Sequence, residues 1–149
     1  MRACFTSVHV LGLGAFILGT APALDTALAD DGGCSTAMVR GDYGVYGQGT
    51  VFVGSPPQPG LGVDVGLAAI DGKGNVTGSI TFSFNGTIFR TKYTGSYLVN
   101  SDCTITLTIY DDLGETLQQE GVVFGDGDEI RFIGTDPGRV IARVAQRLK

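Results

Sequence analysis

The sequence predicts an all-β protein and, more narrowly, an eight-stranded up-and-down antiparallel barrel. Apolar and polar residues alternate with a period of two through most of the chain, which is typical of strands with one buried and one solvated face. Short turns rich in Gly, Asn and Asp separate the alternating segments. No segment after residue 29 is a convincing helix. Consecutive strands joined by short turns favour a barrel, because closure leaves no unpaired edge.

The clearest pattern is a hairpin in the middle of the chain. From Asn75 to Phe84, apolar residues and glycine occupy one face and Thr or Ser occupies the other. Asn85 and Gly86 then supply the two residues with positive φ that a type I′ turn requires. The return strand repeats the alternation up to Val99, so we expect these two strands to pair with one face in the core.

The remaining strands are predicted from the same alternation. They span residues 41–53, 63–70, 103–110, 115–124, 129–135 and 139–148. The segment between the first two, residues 54–62, holds three of the five prolines. It is therefore predicted to be a long loop that covers one mouth of the barrel, because proline interrupts the hydrogen bonds of a strand.

The last segment leaves two alternatives open. Its Ala, Arg, Gln and Leu favour a short C-terminal helix, whereas its alternating β-branched residues favour a strand. As a strand it has one apolar face, which we expect to point inward and which consists of Val140, Ala142, Val144 and Leu148. The opposite face, expected to point outward, consists of Arg139, Arg143 and Arg147.

A two-sheet β-sandwich is the alternative architecture. A Greek key needs a long connection between strands that are not sequence neighbours. The proline-rich segment is the one connection long enough to serve. The closed barrel is therefore the prediction, and an eight-stranded barrel has an interior just wide enough for side chains or one small ligand.

Residues 1–29 are predicted to be a signal peptide. Residues 8–19 form an apolar run that is too short to span a bilayer, and the Ala-Leu-Ala sequence ending at Ala29 is a small-x-small cleavage pattern. Cleavage after Ala23 and an uncleaved N-terminal anchor are the alternatives. The expectation is a secreted or periplasmic protein whose single β-barrel domain comprises residues 30–149.

Two cysteines remain after this cleavage, Cys34 and Cys103, and only one pairing is available to them. An oxidising compartment permits their disulfide. The bond would pin the N-terminal arm to the start of a central strand. It closes a loop of about 70 residues, which corresponds to roughly 4 kcal/mol of stabilisation in the chain-entropy account.

The net charge of −5 excludes several classes of partner. Nucleic-acid binding requires a basic stripe, usually beside aromatic residues, and binding to a membrane surface requires a basic amphipathic helix. The chain has neither, and the predicted signal peptide carries one acid and one base, so its removal leaves the charge unchanged. We therefore expect no nucleic-acid partner and no stable membrane insertion after signal cleavage.

Missing residue types limit the chemistry of the domain. The single histidine, His9, lies in the predicted signal peptide, so histidine-based catalytic triads and imidazole metal sites are excluded. A disulfide leaves no thiolate as nucleophile or ligand, and most acids fall in turns. Residues 125–129 resemble a fragment of a calcium loop but supply too few ligands. No catalytic residue, metal site or cofactor is predicted.

The residues expected inside the barrel include aromatic side chains with two hydroxyls and one or two amides. Such a set is typical of an apolar pocket with a few orienting polar groups, so we predict that it binds a small apolar ligand. The predicted ligand-binding residues are Phe82, Phe84, Phe89, Tyr93, Tyr97, Gln119 and Phe132, with Leu107 and Gln146 as further interior positions. A solid core with each tyrosine hydroxyl satisfied near a rim is the alternative.

The tripeptide Gly-Asp-Tyr, which starts at Gly41, opens the first strand, and arginines lie in the last one. Here the chain resembles the calycin class of small barrels, to which lipocalins and allene oxide cyclase-like proteins belong. Lipocalins open with Gly-x-Trp, and an arginine of the last strand packs on that ring. Tyr43 stands where the tryptophan would be, with Arg143 or Arg147 as the cation. Residues 74–109 are also similar to small secreted bacterial β-barrel proteins of unassigned function.

The resemblance implies binding of an apolar ligand, and three functions stay open. The first is a ligand-binding module entered past the proline-rich segment. The second is an enzyme of the cyclase or isomerase kind, in which Tyr93 or Tyr97 handles a proton. The third is a ligand-free envelope or extracellular interaction protein that uses its outer Thr and Arg face. The oligomeric state is left open.

Overall fold

The computed structural model describes residues 33–149, which form a closed barrel. A short 3-10 helix, Thr36–Met38, precedes the eight strands β1 (Arg40–Val53), β2 (Gln58–Asp71), β3 (Asn75–Phe84), β4 (Thr87–Val99), β5 (Thr104–Asp111), β6 (Thr116–Phe124), β7 (Glu129–Gly134) and β8 (Arg139–Arg147). Each strand pairs antiparallel with its sequence neighbours, and β1 also pairs with β8. The predicted fold class is therefore confirmed, while the predicted signal peptide lies outside the described residues.

Pairing between the first and last strands closes the sheet. The register runs from Tyr43 opposite Arg147 to Val51 opposite Arg139. This pairing excludes the two-sheet sandwich, and it confirms a strand rather than a helix at residues 139–147. The described part of the chain contains no helix with the length and hydrophobicity needed to cross a membrane.

The central hairpin forms as its sequence predicts. β3 pairs with β4 from Asn75 opposite Ser96 to Phe84 opposite Thr87. Between them Asn85 has a φ of 46° and Gly86 a φ of 86°. Two consecutive residues with positive φ match the right-handed twist of the flanking strands.

The long loop predicted at residues 54–62 is wrong, because β2 already begins at Gln58. The backbone of Leu61 donates to the side chain of Asn85 (2.9 Å) and accepts from its N–H (3.0 Å), so Leu61 points its backbone groups toward β3. Pro59, two residues earlier, has the same orientation but lies beyond the end of β3. A proline there breaks no ladder hydrogen bond, so the strand includes it.

The orientation predicted for β8 is wrong. The side chains that face the interior are Arg139, Ile141, Arg143, Ala145 and Arg147. The residues expected inside lie on the outer face instead, namely Val140, Ala142, Val144, Gln146 and Leu148. The ladder with β1 is the cause, because directly paired residues point to the same side of a sheet. Tyr43 and Gly47 of β1 are buried, and they pair with Arg147 and Arg143.

The N-terminal arm seals one end of the barrel. The predicted disulfide is confirmed, with Cys34 bonded to Cys103 and their Cα atoms 4.8 Å apart. Val39 has no exposed surface, and its carbonyl accepts a hydrogen bond of 2.8 Å from the hydroxyl of Tyr97. The arm is therefore held both covalently and by a hydrogen bond that reaches into the core.

Arg147 and Tyr43 complete the sealed end. The guanidinium carbon of Arg147 lies 5.7 Å from the centre of the Tyr43 ring, so it supplies the cation expected over that ring. The hydroxyl of Tyr43 donates to the carbonyl of Gly127 (2.6 Å), and Nη2 of Arg147 donates to the carbonyl of Met38 (2.8 Å). These contacts tie β1, β8 and the arm together.

Removing the disulfide should lower stability without changing the opposite end of the barrel. Cys34→Ser frees a loop whose ends are 69 residues apart, so we expect the free energy of unfolding to fall by roughly 2 to 4 kcal/mol. Thermal unfolding with and without reductant measures the effect. Ser35→Ala, at the exposed neighbouring position, is the control, and a wild type that is equally stable with reductant would contradict the prediction.

A candidate ligand site in the barrel

The end of the barrel opposite the arm is open and contains a cleft of about 360 Å³. Its apolar walls come from the β1–β2 hairpin, the β3–β4 hairpin and the turn after β5, and consist of Val51, Val53, Phe82, Phe84, Phe89 and Leu113. The rings of Phe82 and Phe84 stack with their centres 6.2 Å apart. We call this space the mouth cleft.

A smaller cavity of about 60 Å³ lies deeper in the barrel and is lined almost entirely by hydrocarbon. We call it the deep cavity. Its walls include Ala68, Ile80, Tyr93, Tyr97, Ile105, Leu107, Leu117, Gln119 and Phe132. Five residues line both the deep cavity and the mouth cleft, namely Ile80, Thr91, Asp111, Leu117 and Arg143, so the two spaces adjoin.

The structure divides the seven predicted ligand-binding residues between these two spaces. Phe82, Phe84 and Phe89 line the mouth cleft, and Tyr93, Tyr97, Gln119 and Phe132 line the deep cavity. Leu107 lines the deep cavity as expected, whereas Gln146 lies outside the barrel and donates to Glu129 (3.2 Å). That these residues bind a ligand stays a prediction.

A buried ion pair lies where the two spaces meet, and sequence reasoning missed it. Nη2 of Arg143 donates to Oδ2 of Asp64 (2.8 Å), and Nε donates to both carboxylate oxygens (3.1 and 3.2 Å). The Asp64 side chain is 1% exposed and that of Arg143 is 10% exposed. Gly47 pairs with both residues, and a Cβ there would lie 2.6 Å from each side chain. Glycine at this position therefore makes room for the pair.

One feature of the sequence indicates that Asp64 faces inward, although the hydrophobicity of the strand suggests the opposite. In β2 the large apolar residues Leu61, Val63, Val65 and Leu67 alternate with glycine, alanine and one acid. The large residues are exposed and the small set faces inward. An acid among small residues on one strand and arginines spaced by four on another indicate complementary charges that meet inside the barrel.

Both tyrosines that line the deep cavity are engaged through their hydroxyls. Tyr93 donates to the carbonyl of Leu67 (3.2 Å), and burial raises its pKa to about 12, with Arg143 opposing and Asp64 adding to the rise. Burial also raises the pKa of Tyr97, which donates to the carbonyl of Val39. At neutral pH both phenols keep their protons, so they act as hydrogen-bond donors to the backbone.

Gln119 is a further polar residue at the deep cavity, which Thr91, Asp111 and Arg143 also line. Its side chain is buried, with the residue 3% exposed, and within residues 33–149 its Nε2 has no hydrogen-bond partner. Among the fully buried side-chain nitrogen and oxygen atoms of the described residues, it is the one without a partner. Gln119 is therefore the free donor that a molecule in the deep cavity would meet.

The turn at residues 125–129 is held by its own backbone. The N–H of Asp128 donates to the carbonyl of Gly125 (2.9 Å), and the three residues from Gly125 to Gly127 have positive φ. Within the part of the chain that the structure describes, no three His, Cys, Asp or Glu side chains gather in a way that could hold a metal.

Comparison with known proteins supports the fold alone. No family model matches the chain, and no curated protein matches it. A solved structure described as a redesigned β-barrel is similar, with a TM-score of 0.50 and 14% sequence identity over 76% of this chain and 95% of that one. At this identity the likeness extends to the eight-stranded barrel architecture and not to a function.

The buried ion pair should tolerate removal of both charges better than removal of one. Asp64→Leu or Arg143→Met leaves the other charge buried and unpaired, so each should cost about 3–5 kcal/mol in the free energy of unfolding. The double variant leaves no buried charge and should cost much less than the sum. Urea unfolding of all four proteins gives the coupling energy.

The solvent-exposed pair of Arg131 and Glu129 is the matched control for this cycle. Its Arg131→Met variant should change the free energy of unfolding by less than about 1 kcal/mol, because water screens the pair. Additive effects of Asp64→Leu and Arg143→Met would show that the two charges do not depend on each other.

Alkaline pH should weaken the fold through Tyr93. Its pKa is about 12 in the folded protein against a reference of 10.0, so from about pH 10 upward the unfolded chain loses a proton that the folded protein keeps. The free energy of unfolding should therefore fall by about 2–3 kcal/mol as pH rises from about 10 to about 12. Tyr93→Phe should remove most of this decline.

Urea unfolding at a series of alkaline pH values measures the slope. Tyr110→Phe changes an exposed tyrosine and should leave the decline as it is in the wild type. An equally steep decline in Tyr93→Phe would assign the effect to another group.

Proposed function

We propose that this protein binds a small apolar molecule at the open end of its barrel. The observation that carries the proposal is the mouth cleft, an open space of about 360 Å³ between phenylalanine and valine side chains. Ligand pockets typically measure about 300–1,000 Å³ and combine apolar walls with a few placed polar groups. The deep cavity continues the site toward the barrel centre.

The sealed end supports the same proposal. The disulfide, the arm and the Tyr43–Arg147 contact close the barrel there. They leave the phenylalanine-lined end as the side from which a ligand would enter. The packing of Arg147 on Tyr43 also agrees with the resemblance to calycins, and we propose that the chain is a barrel of that kind. A disulfide is compatible with an extracellular or periplasmic location, and we propose export through a signal peptide at residues 1–29.

The cyclase or isomerase alternative gains less support from the site. Tyr93 and Tyr97 were its proton-handling candidates, and both donate to backbone carbonyls while burial raises their pKa. Asp64 faces the mouth cleft, but Arg143 holds both of its oxygens. The other two acids of the cleft are also engaged, Asp111 by N–H groups of the turn that follows it and Glu115 by Arg139.

The interaction alternative is favoured by one observation. The outer face of β8, β1 and β2 carries exposed apolar side chains, among them Val140 (68% exposed) and Leu61 (72% exposed). Neighbouring strands place these residues in adjoining rows, and an apolar patch of several hundred Å² marks an interaction surface. The outer surface formed by β8, β1 and β2 is therefore partly apolar, which differs from the Thr and Arg face that the sequence predicts.

Filling the passage between the two spaces with a larger side chain should weaken binding of an apolar probe. Thr91 lines both spaces, so Thr91→Phe places a ring between them. We expect a neutral naphthyl dye that fluoresces in apolar surroundings to bind the wild type, and the variant to bind it at least about tenfold more weakly. A dye titration by fluorescence, with circular dichroism to establish folding, measures this.

Thr94→Phe is the matched control, because Thr94 lies on the same strand and is exposed. It adds the same ring to the outer surface and should leave dye affinity unchanged. Dye binding that survives Thr91→Phe but is lost on Leu61→Ser would place the apolar site on the outer face and favour the interaction alternative.

A further inference from the structure

The unpaired amide of Gln119 indicates which chemical class the site takes. This residue lies on β6 opposite Leu107, and both line the deep cavity. Gln119 is 3% exposed, and its Nε2 has no partner in residues 33–149. A buried donor without an acceptor is unfavourable. A leucine, like the neighbouring Leu107 and Leu117, would fill similar space without that cost.

Water is a poor solution for this donor. The deep cavity, at about 60 Å³, has room for a few water molecules or for the end of a ligand chain. A buried water needs two to four polar partners. The other polar side chains around the cavity already have partners. Tyr93, Tyr97 and Thr91 donate to backbone carbonyls, and Arg143 holds Asp64. The carboxylate of Asp111 accepts from two N–H groups of the turn that follows it. An apolar molecule that carries a single acceptor fits this surface better than water does.

Charge at the mouth cleft argues against an anionic ligand. Asp64 is paired with Arg143, and Glu115 is paired with Arg139. Asp111 also lines the cleft, with its carboxylate accepting from the N–H groups of the turn that follows it. No arginine of the cleft is left for a ligand carboxylate without breaking a pair, and a third acid adds repulsion.

We propose that the ligand is a neutral, elongated molecule with one hydrogen-bond acceptor, such as a ketone, aldehyde or ester carbonyl, which Nε2 of Gln119 receives in the deep cavity. Its hydrocarbon part lies between the phenylalanines of the mouth cleft. This inference rests on the proposed function. It adds the orientation of the ligand, with the carbonyl in the deep cavity and the hydrocarbon in the mouth cleft. Binding supplies the acceptor that the amide lacks in the unoccupied protein.

A competition experiment tests the chemical class. Three compounds of equal carbon number compete with the neutral naphthyl dye for the wild type: a methyl ketone, an n-alkane and a fatty-acid carboxylate. Their affinities follow from how much of each is needed to displace the dye. We expect the ketone to bind about tenfold more tightly than the alkane, which is what one buried hydrogen bond supplies, and the carboxylate to bind more weakly than the ketone. Equal affinities for ketone and alkane, or a preference for the carboxylate, would overturn the inference.

Gln119→Leu is the decisive variant. It should bind ketone and alkane equally, and the ligand-free variant should melt at a higher temperature because its buried donor is gone. Gln118→Leu makes the same change on the outer face of β6, where Gln118 is exposed, and should keep the ketone preference. A ketone preference that persists in Gln119→Leu would overturn the assignment of the donor.

Two further outcomes keep the inference separate from the proposed function. If all three compounds displace the dye equally from every protein, the apolar site exists and the role of Gln119 is wrong. If none displaces it, the proposed function is wrong as well. Should Gln119→Leu fail to fold, the side-chain amide signal of Gln119 in the wild type decides by nuclear magnetic resonance. It should shift with the ketone and stay in place with the alkane.

Discussion

The pairing of β1 with β8 is the constraint on which the rest of the structure depends. Closure of the sheet requires this ladder, and the ladder forces each β8 residue to share a side with its β1 partner. Because Tyr43 and Gly47 face inward, Arg147 and Arg143 must do so too. Each interior arginine then needs a partner. Asp64 meets Arg143, and Arg147 meets the Tyr43 ring and the carbonyl of Met38. The polar interior thus follows from closing the barrel.

The fold was predictable because most strands obey a simple rule. In β3, β4 and β5 the apolar face is the buried face, and residues 85–86 have the chemistry of a tight turn, so strands, pairing and barrel all follow. The rule fails in β2 and β8. In β2 most of the large apolar side chains point outward and small residues and Asp64 point inward, and in β8 three arginines point inward while Val140 and Val144 point outward. Alternation reveals that two faces differ. It does not reveal which face is buried, because the pairing with neighbouring strands determines the orientation.

The candidate site was predictable only in part for the same reason. All seven proposed ligand-contacting residues face one of the two spaces. Five of them lie on β3 and β4, which follow the rule, while Gln119 lies opposite Leu107 of β5 and Phe132 lies opposite Gly121 of β6. Asp64 and Arg143 were missed because each looks unfavourable inside until the other is known. Four interior glycines allowed two interpretations from sequence, either that they leave a cavity or that they let strands pack closely. They are Gly66, Gly78, Gly95 and Gly121. A side chain at any of them would clash with the carbonyl of the adjacent strand, so they serve close packing.

The two ends of the barrel have opposite characters, and under the proposed function this has a consequence for ligand exchange. One end is stapled shut through Cys34 and Cys103, and the other opens between aromatic rings. A ligand bound in a barrel that is closed at one end could not pass from one end to the other. It would have to leave through the same open end by which it entered. Its release rate would then depend on the residues of the mouth cleft, while the deep cavity would decide which ligand is bound.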